Sequence, residues 1–366
     1  MKELIPVSKP DLSELEKKYL NDAFDSGWIS STGEYVEKFE ELWAGQIGTK
    51  FALSVSNGTV ALHLALAALG IGPGDEVIVP NLTFIATVNA VTYVGAKPIL
   101  VDVSTSNWGM DPFLVESLIS KKTKAIICVH LYGVPCDVLD LRKISDKYGI
   151  YLIEDAAEAP FSTVSGRKIG SIGDISTFSF YGNKIITSGE GGAVATSNIE
   201  LFRKMKLLRD QGMDPERRYF FIKVGFNFRL TNMQCAILVA QLERLDEIIA
   251  SRKKIYELYD KRIGSNPKIE FQTLREDETL SPWLYTFKFQ NLATSIDKIR
   301  ANLLEKMIDT RPVFVPINKL PPYWNASKSN FKKSESIAQL GISIPTFNSL
   351  LPAQINYISD CINEIN

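Results

Sequence analysis

A lysine set between an apolar run and a glycine cluster is the residue in this sequence best placed to do chemistry. In Asp174-Ile-Ser-Thr-Phe-Ser-Phe-Tyr-Gly-Asn-Lys184-Ile-Ile-Thr-Ser-Gly-Glu-Gly-Gly192, Lys184 falls where a buried strand would stop and the chain would turn sharply. A solvated lysine needs no such setting. An amine that must be aimed and partly desolvated to join a carbonyl does need it. Upstream, Tyr151-Leu-Ile-Glu-Asp155 reads as a second buried strand ending in a carboxylate. Strand-end aspartate followed by strand-end lysine suggests pyridoxal phosphate, whose ring nitrogen needs an acidic partner and whose aldehyde needs a lysine.

Five further segments carry candidate groups at useful places. Ser56-Asn-Gly58-Thr59 lies between a strand and a helix, where free N–H groups, a glycine and a hydroxyl form an anion site or, more plainly, a helix cap. Phe84, in the segment Pro80-Asn-Leu-Thr83-Phe84 that follows the strand Val77–Val79, is suited to stacking on a flat ring or to simple burial. Glu158 follows Asp155 among alanines that would let a bulky group approach, although acids there would also suit the first turn of a helix. Ser179 alternates with Phe178 and Phe180, so its hydroxyl points opposite to the rings and toward the anion site. Gly225-Phe-Asn227-Phe-Arg229 sets an amide and a guanidinium among aromatics, where an exposed turn with a salt-bridged arginine is the alternative.

The elements that must position these groups alternate regularly. Phe51–Val55, Val77–Val79, Pro98–Val101, Ala125–Val129, Tyr151–Glu154, Ile175–Phe180 and Ala193–Thr196 are short apolar runs, mostly continuous, as in strands covered on both faces. Helical patterns such as Thr59–Leu69 and Pro112–Ser120 separate several of them. The pattern predicts an α/β fold with a mostly parallel sheet, whose sites gather at the carboxyl ends of strands. Met233 to about Ile263 reads as one long amphipathic helix stopped at Gly264. An extended run (Trp283–Phe289), a helix (Ser295–Met307), a proline- and aromatic-rich loop (Arg311–Trp324) and a terminal helix (Pro352–Ile365) follow. This divides the chain into a large domain over 1–244 and a smaller C-terminal α+β domain over 245–366.

Composition narrows the function classes. Forty-one basic and 42 acidic residues give a formal charge of −1 with no long like-charged run, so neither nucleic acid nor a membrane surface is an expected partner. Cys128, Cys136, Cys235 and Cys361 fall in no metal-ligand spacing and read as reduced, and with only His63 and His130 available no metal site is expected. No signal-peptide core and no run long enough to span a membrane are visible, which predicts a cytoplasmic protein.

Taken in order, these motifs resemble the pyridoxal-phosphate sugar aminotransferases of the DegT/DnrJ/StrS family, within aminotransferase fold type I. The resemblance runs from Gly27-Trp-Ile-Ser-Ser-Thr-Gly33 to Thr310-Arg-Pro312 and beyond. It implies a seven-stranded sheet between helices and a set of roles. Lys184 would carry the cofactor and shuttle protons, Asp155 would pair with its ring nitrogen, Phe84 would stack on its ring, and Glu158 would lie near its 3-hydroxyl. Gly58, Thr59 and Ser179 would hold its phosphate, joined by Asn227 from the partner subunit of a homodimer with a shared active site. Trp28, Ser30, Arg229 and Arg311 would contact substrate.

The runs Gly27–Gly33, Val129–Asp137, Phe180–Lys184 and Arg311-Pro-Val-Phe look most like the branch that takes an amino group from L-glutamate to GDP-4-keto-6-deoxy-D-mannose, giving GDP-perosamine for O-antigen or other polysaccharides. Another UDP- or dTDP-linked keto sugar, a sugar 3-dehydratase and a non-catalytic sugar-nucleotide-binding regulator are the alternatives. Family members that dehydrate carry histidine in place of the lysine, so Lys184 favours amino transfer. Related members often carry histidine in the loop after the Arg-Pro pair, where this chain has Pro316-Ile-Asn318.

Overall fold

In the computed structural model, residues 3–324 and 330–365 are described. The first half lays down β1 (Phe51–Val55), β2 (Glu76–Pro80), β3 (Lys97–Val101), β4 (Thr123–Val129) and β5 (Tyr151–Asp155). A short hairpin, β6 (Thr163–Val164) and β7 (Arg167–Lys168), precedes β8 (Ile175–Ser179) and β9 (Gly192–Thr196). The main sheet has seven strands in the order β1-β9-β8-β5-β4-β2-β3. β9 runs antiparallel to both neighbours, and the other adjacent pairs are parallel. All seven strands expected from the sequence are present. Their continuous apolar character has a direct cause, because side chains on both faces are buried against helices.

Those helices form two layers with separate cores. One core gathers Phe39, Trp43, Phe178, Phe180 and Cys235, and includes α1 (Glu14–Asp25) and α2 (Glu34–Ile47). The other collects Leu53, Val79, Ile127, Ile153 and Val194 against α3 (Gly58–Ala68) and α4 (Ala86–Tyr93). Phe178 and Phe180 pack edge-on against Trp43, with centroids 5.0 and 4.9 Å apart. These rings hold one face of β8, so Ser179 faces the other way.

The long helix expected over Met233–Ile263 is two helices, Asn232–Glu243 and Leu245–Ile263. The break falls at Arg244 (φ −97°, ψ 8°). The Arg244 guanidinium bonds Glu16 at 2.7 Å and Asp11 at 3.1 Å, tying the junction to the N-terminal segment. Gly264 does end the second helix, in a right-handed rather than left-handed conformation.

Beyond it, β10 (Ile269–Glu270), β12 (Tyr285–Phe289), β13 (Arg311–Pro312) and β14 (Gly341–Ile344) form a four-stranded antiparallel sheet, while β11 (Glu278–Thr279) joins the β6–β7 hairpin. A third core, with Tyr259, Phe287, Ile344 and Ile358 at its centre, fills this smaller α+β region.

Candidate active site

The parallel strands deliver their carboxyl ends to one edge of the sheet, and the candidate residues arrive there with them. β1 ends beside Ser56 and Asn57, and the Asn57 side chain caps α3 by accepting the Val60 N–H at 3.0 Å. Asn57 rather than Thr59 is therefore the cap, which leaves Thr59 in the first turn free for another acceptor. Gly58 lies against β8: a Cβ there would stand 3.0 Å from the Ser179 Cβ and 3.4 Å from the Phe178 carbonyl. Gly192, at the start of β9, is tighter still, since its Cβ would meet the Asn57 carbonyl carbon at 2.5 Å. The glycines thus keep open a cradle of helix N–H groups and two hydroxyls, the chemistry a phosphate requires.

Asp155 ends β5 with 6% exposure. Its Oδ2 accepts the Thr87 hydroxyl at 2.8 Å and its Oδ1 the Ala157 N–H at 3.3 Å. Burial raises its carboxyl above the ordinary range, against the lowering effect of Thr87. No helix begins here, so the plain helix-dipole role for Asp155 and Glu158 is corrected: the chain makes turns up to β6. Glu158 instead accepts the Tyr132 N–H at 2.9 Å, and burial pushes its carboxyl up to about 7.

Lys184 closes the far side. Its loop leaves β8, turns with the Lys184 N–H on the Tyr181 carbonyl at 2.8 Å, and returns through Gly189 (φ 86°) and Gly191 (φ 146°) to β9. The Thr187 hydroxyl donates to the Phe180 carbonyl at 2.7 Å and fastens the loop. Burial draws the lysine amine below its usual value, while the charges of Glu158 and Asp155 pull it back up. A buried carboxyl without an ion-pair partner among the described residues, a desolvated amine and a glycine cradle together match the three polar ends of pyridoxal phosphate: ring nitrogen, aldehyde and phosphate.

Sequence reasoning missed the aromatic wall. Lys184 Nζ lies 3.9 Å from the centroid of Trp283, and Trp283, Tyr132 and Phe314 stack in succession at 6.0 and 5.3 Å. Phe84, 54% exposed, meets Phe314 at 5.6 Å and so presents a free ring face beside this wall. Tyr132 holds φ of 52°, a strained value for a bulky residue, which turns its N–H to Glu158 and its ring toward Phe314. The aromatic richness of the loop Arg311–Trp324, which holds Phe314, was the one hint of it.

Arg311 lies on β13 near enough for its charge to act on both Lys184 and Tyr132. Among the described residues it makes no ion pair. Asn318 is differently placed: it exchanges two bonds with Asn81, at 2.9 and 3.0 Å, and donates to Glu335 at 2.9 Å. Its side chain is committed to the scaffold.

Other expected residues stand apart from Lys184 within the chain. Asn227 is exposed and accepts Arg229 at 2.9 Å, while Arg229 also approaches Asp210 at 3.9 Å, so the salt-bridged turn describes this chain alone. The Trp28 and Ser30 carbonyls accept from Asn232, which pins the Gly27–Gly33 run to the helix that starts there, and Trp28 is 61% exposed. Cys128, His130 and Cys136, too irregular in sequence for a metal motif, nevertheless gather in the core with ligand atoms within 4.8 Å. His130 Nδ1 accepts the Cys136 N–H at 3.2 Å and Nε2 faces Glu154 at 3.3 Å, so both ring nitrogens have neighbours already. The cluster buttresses the β4 and β5 ends, where the His130 N–H meets the Asp155 carbonyl.

Comparison with known proteins gives a consistent result. The model of the DegT/DnrJ/EryC1/StrS aminotransferase family matches residues 10–363. The chain is 44% identical over 365 residues to GDP-perosamine synthase of Caulobacter vibrioides, covering 99% of this chain and 98% of that one. It is 44% identical over 360 residues to GDP-perosamine synthase of Escherichia coli O157:H7, covering 98% of each. Among solved structures, the PLP form of Spr1654 from Streptococcus pneumoniae superposes with a TM-score of 0.93 at 28% identity, covering 98% of each chain.

Proposed function

The chain belongs to the DegT/DnrJ/EryC1/StrS aminotransferase family, whose members of known form use pyridoxal phosphate, and from that premise we propose that it moves the amino group of L-glutamate onto a nucleotide-linked 4-keto-6-deoxy sugar. The sugar nucleotide is GDP-4-keto-6-deoxy-D-mannose and the product GDP-perosamine. The observation that carries the reaction type is the desolvated Lys184 amine facing Glu158 and Asp155 at the carboxyl edge of the sheet. For the sugar, support comes from full-length similarity to proteins named for that product.

When bound, pyridoxal phosphate supplies a carbonyl that exchanges amines and a ring that withdraws electrons from the carbon losing its proton. Gly58, Thr59 and Ser179 hold the phosphate at the α3 N-terminus. Asp155, oriented by Thr87, pairs with the ring nitrogen, and Phe84 covers one ring face. Glu158 lies at the 3-hydroxyl side. Lys184 is the residue that would hold the carbonyl end, and its free Nζ would move a proton. Its lowered proton affinity favours the neutral base it must be for that task. The aromatic wall covers one side of the amine, and Arg311, without an ion pair among the described residues, offers a positive charge for an anionic part of the substrate.

The working unit is a homodimer. Tyr219, Phe221, Ile222 and Val224 are exposed on the segment leading to Asn227, and a second subunit would cover them and receive Asn227 at its phosphate. Trp28, Ser30 and Arg229 then contact substrate across that interface. The large domain spans 1–244 and the small one 245–366, a division supported by the helix break at Arg244 and by the third core. No helix among the described residues is long and apolar enough to cross a membrane, which fits a cytoplasmic enzyme.

Two half-reactions test the proposal. L-glutamate alone should bleach the visible band of the pyridoxal-phosphate-loaded protein and release one equivalent of 2-oxoglutarate. A keto-sugar nucleotide should then restore the band. A band unmoved by glutamate would refute the donor.

A further inference from the structure

Trp283 is 3% exposed and is gripped on several sides. Its Nε1–H donates to the Asn183 carbonyl, one residue before Lys184, at 2.8 Å. Its own carbonyl accepts from Arg252 at 3.0 Å. Its ring lies nearly parallel to Tyr132, at 11°, and the Tyr132 N–H in turn holds Glu158. Arg252 is itself 1% exposed and turns its guanidinium to backbone carbonyls, including that of Thr346 at 3.4 Å. Burying a guanidinium without a carboxylate is costly, and here it locks the backbone that carries Trp283. The indole therefore cannot turn without breaking its bond to the lysine loop, and Arg252 fixes the backbone that carries it.

In a transfer with two halves, the lysine must release the cofactor and later take it back, so its amine needs a defined resting place. The structure, on the aminotransferase reading above, assigns that place: we propose that Trp283 is a positioning residue whose indole face cradles the Lys184 amine whenever it is not bonded to the cofactor, and favours the ammonium it becomes once it has taken up a proton. An ammonium 3.9 Å from a ring centroid lies well within cation–π range. The other residues walling this space are Ala157, Glu158, Pro160, Ser179, Phe180, Ile185 and Ile186, so Glu158 is its one titratable neighbour there. Asp155 adds negative charge from β5 and Arg311 positive charge from β13. The indole favours the ammonium without neutralising it, which keeps the proton available for return.

Competitive labelling of the cofactor-free full chain with acetic anhydride across a pH series, read at the Lys184 peptide by mass spectrometry, tests this. Trp283→Leu should lower the pH of half-maximal Lys184 reactivity by about 0.5–1 unit, the size expected for losing a partly desolvated cation–π contact. Trp283→Phe should recover part of that shift, because a phenyl face still attracts the cation. A midpoint unchanged in Trp283→Leu, or lowered equally in both variants, overturns the proposal. If the leucine variant does not fold, Trp283→Phe decides alone: a fall of a few tenths supports the cradle and no fall overturns it. Added pyridoxal phosphate must protect Lys184 in the wild type; failure of that protection overturns the aminotransferase reading and leaves the midpoint comparison to decide the cradle.

Discussion

Replacing Thr87 by valine keeps the outline of a fully buried side chain and removes a single hydrogen-bond donor. Thr87 donates to Asp155 Oδ2 at 2.8 Å and shares a 3.0 Å contact with the Thr83 hydroxyl. Among the described residues the Asp155 carboxylate has one other hydrogen bond, the 3.3 Å contact from the Ala157 N–H. Hydrogen bonds to charged groups are worth about 1.5–3 kcal/mol, and a tenfold change in affinity is about 1.4 kcal/mol. Thr87→Val should therefore weaken pyridoxal phosphate binding roughly 10- to 100-fold, because the ring nitrogen needs Asp155 charged. The pH dependence follows from the direction of the shift. Burial raises the folded-state value of Asp155, so its contribution to stability is full below the unfolded value and is lost as pH rises through the folded one. Valine raises that value further, so the thermal-midpoint deficit of the cofactor-free variant should be larger near pH 8 than near pH 5. Absorbance titration with cofactor and thermal melts at both pH values measure this. Wild-type affinity in Thr87→Val would refute the claim that this hydroxyl holds Asp155.

Glu158, raised to about 7 from 4.5, stabilises the cofactor-free fold below its unfolded value and loses that contribution as pH climbs through about 7. Glu158→Gln should flatten part of the fall in melting temperature between about pH 5 and about pH 8, and an equally steep fall would contradict the assignment. Gly192→Ala forces a methyl to 2.5 Å from the Asn57 carbonyl carbon and 2.8 Å from the Gly58 nitrogen. It should cost about 1–3 kcal/mol of stability and also weaken cofactor binding, with unchanged binding in melts and titrations counting against the cradle. Asn318→Ala strips the side-chain bond to Glu335 and one of the two bonds to Asn81, and should lower the melting temperature while sparing the glutamate half-reaction. Slowed glutamate turnover with an intact melting temperature would show that Asn318 faces substrate instead.

The parallel sheet was legible because both faces of each strand are buried, which writes short continuous apolar runs such as Ile126–Val129 and Leu152–Ile153 into the chain. Ser179 was readable for the same reason, since strand alternation sets it opposite Phe178 and Phe180. The break at Arg244 was not readable. Apolar spacing continues through Leu242, Leu245 and Ile248, and the interruption comes from ion pairs to Glu16 and Asp11, more than 220 residues away in sequence. Thr87, Tyr132 and Trp283 escaped notice for a related reason. Each acts through contacts with residues from other strand ends or loops, and no local pattern marks such contacts. Asn318 was suspect as a missing histidine, whereas its partners Asn81 and Glu335 are known only from the fold.

The central claim is that Lys184 and its neighbours transfer an amino group from glutamate to a GDP-linked keto sugar. Incubating the cofactor-loaded protein with L-glutamate and GDP-4-keto-6-deoxy-D-mannose, beside UDP- and dTDP-linked 4-keto sugars, tests it most directly. GDP-perosamine should form in equal amount to 2-oxoglutarate, fastest with the GDP sugar and not at all in Lys184→Ala. Amination of a UDP- or dTDP-linked sugar in preference to the GDP sugar, or of none of the three, would contradict it.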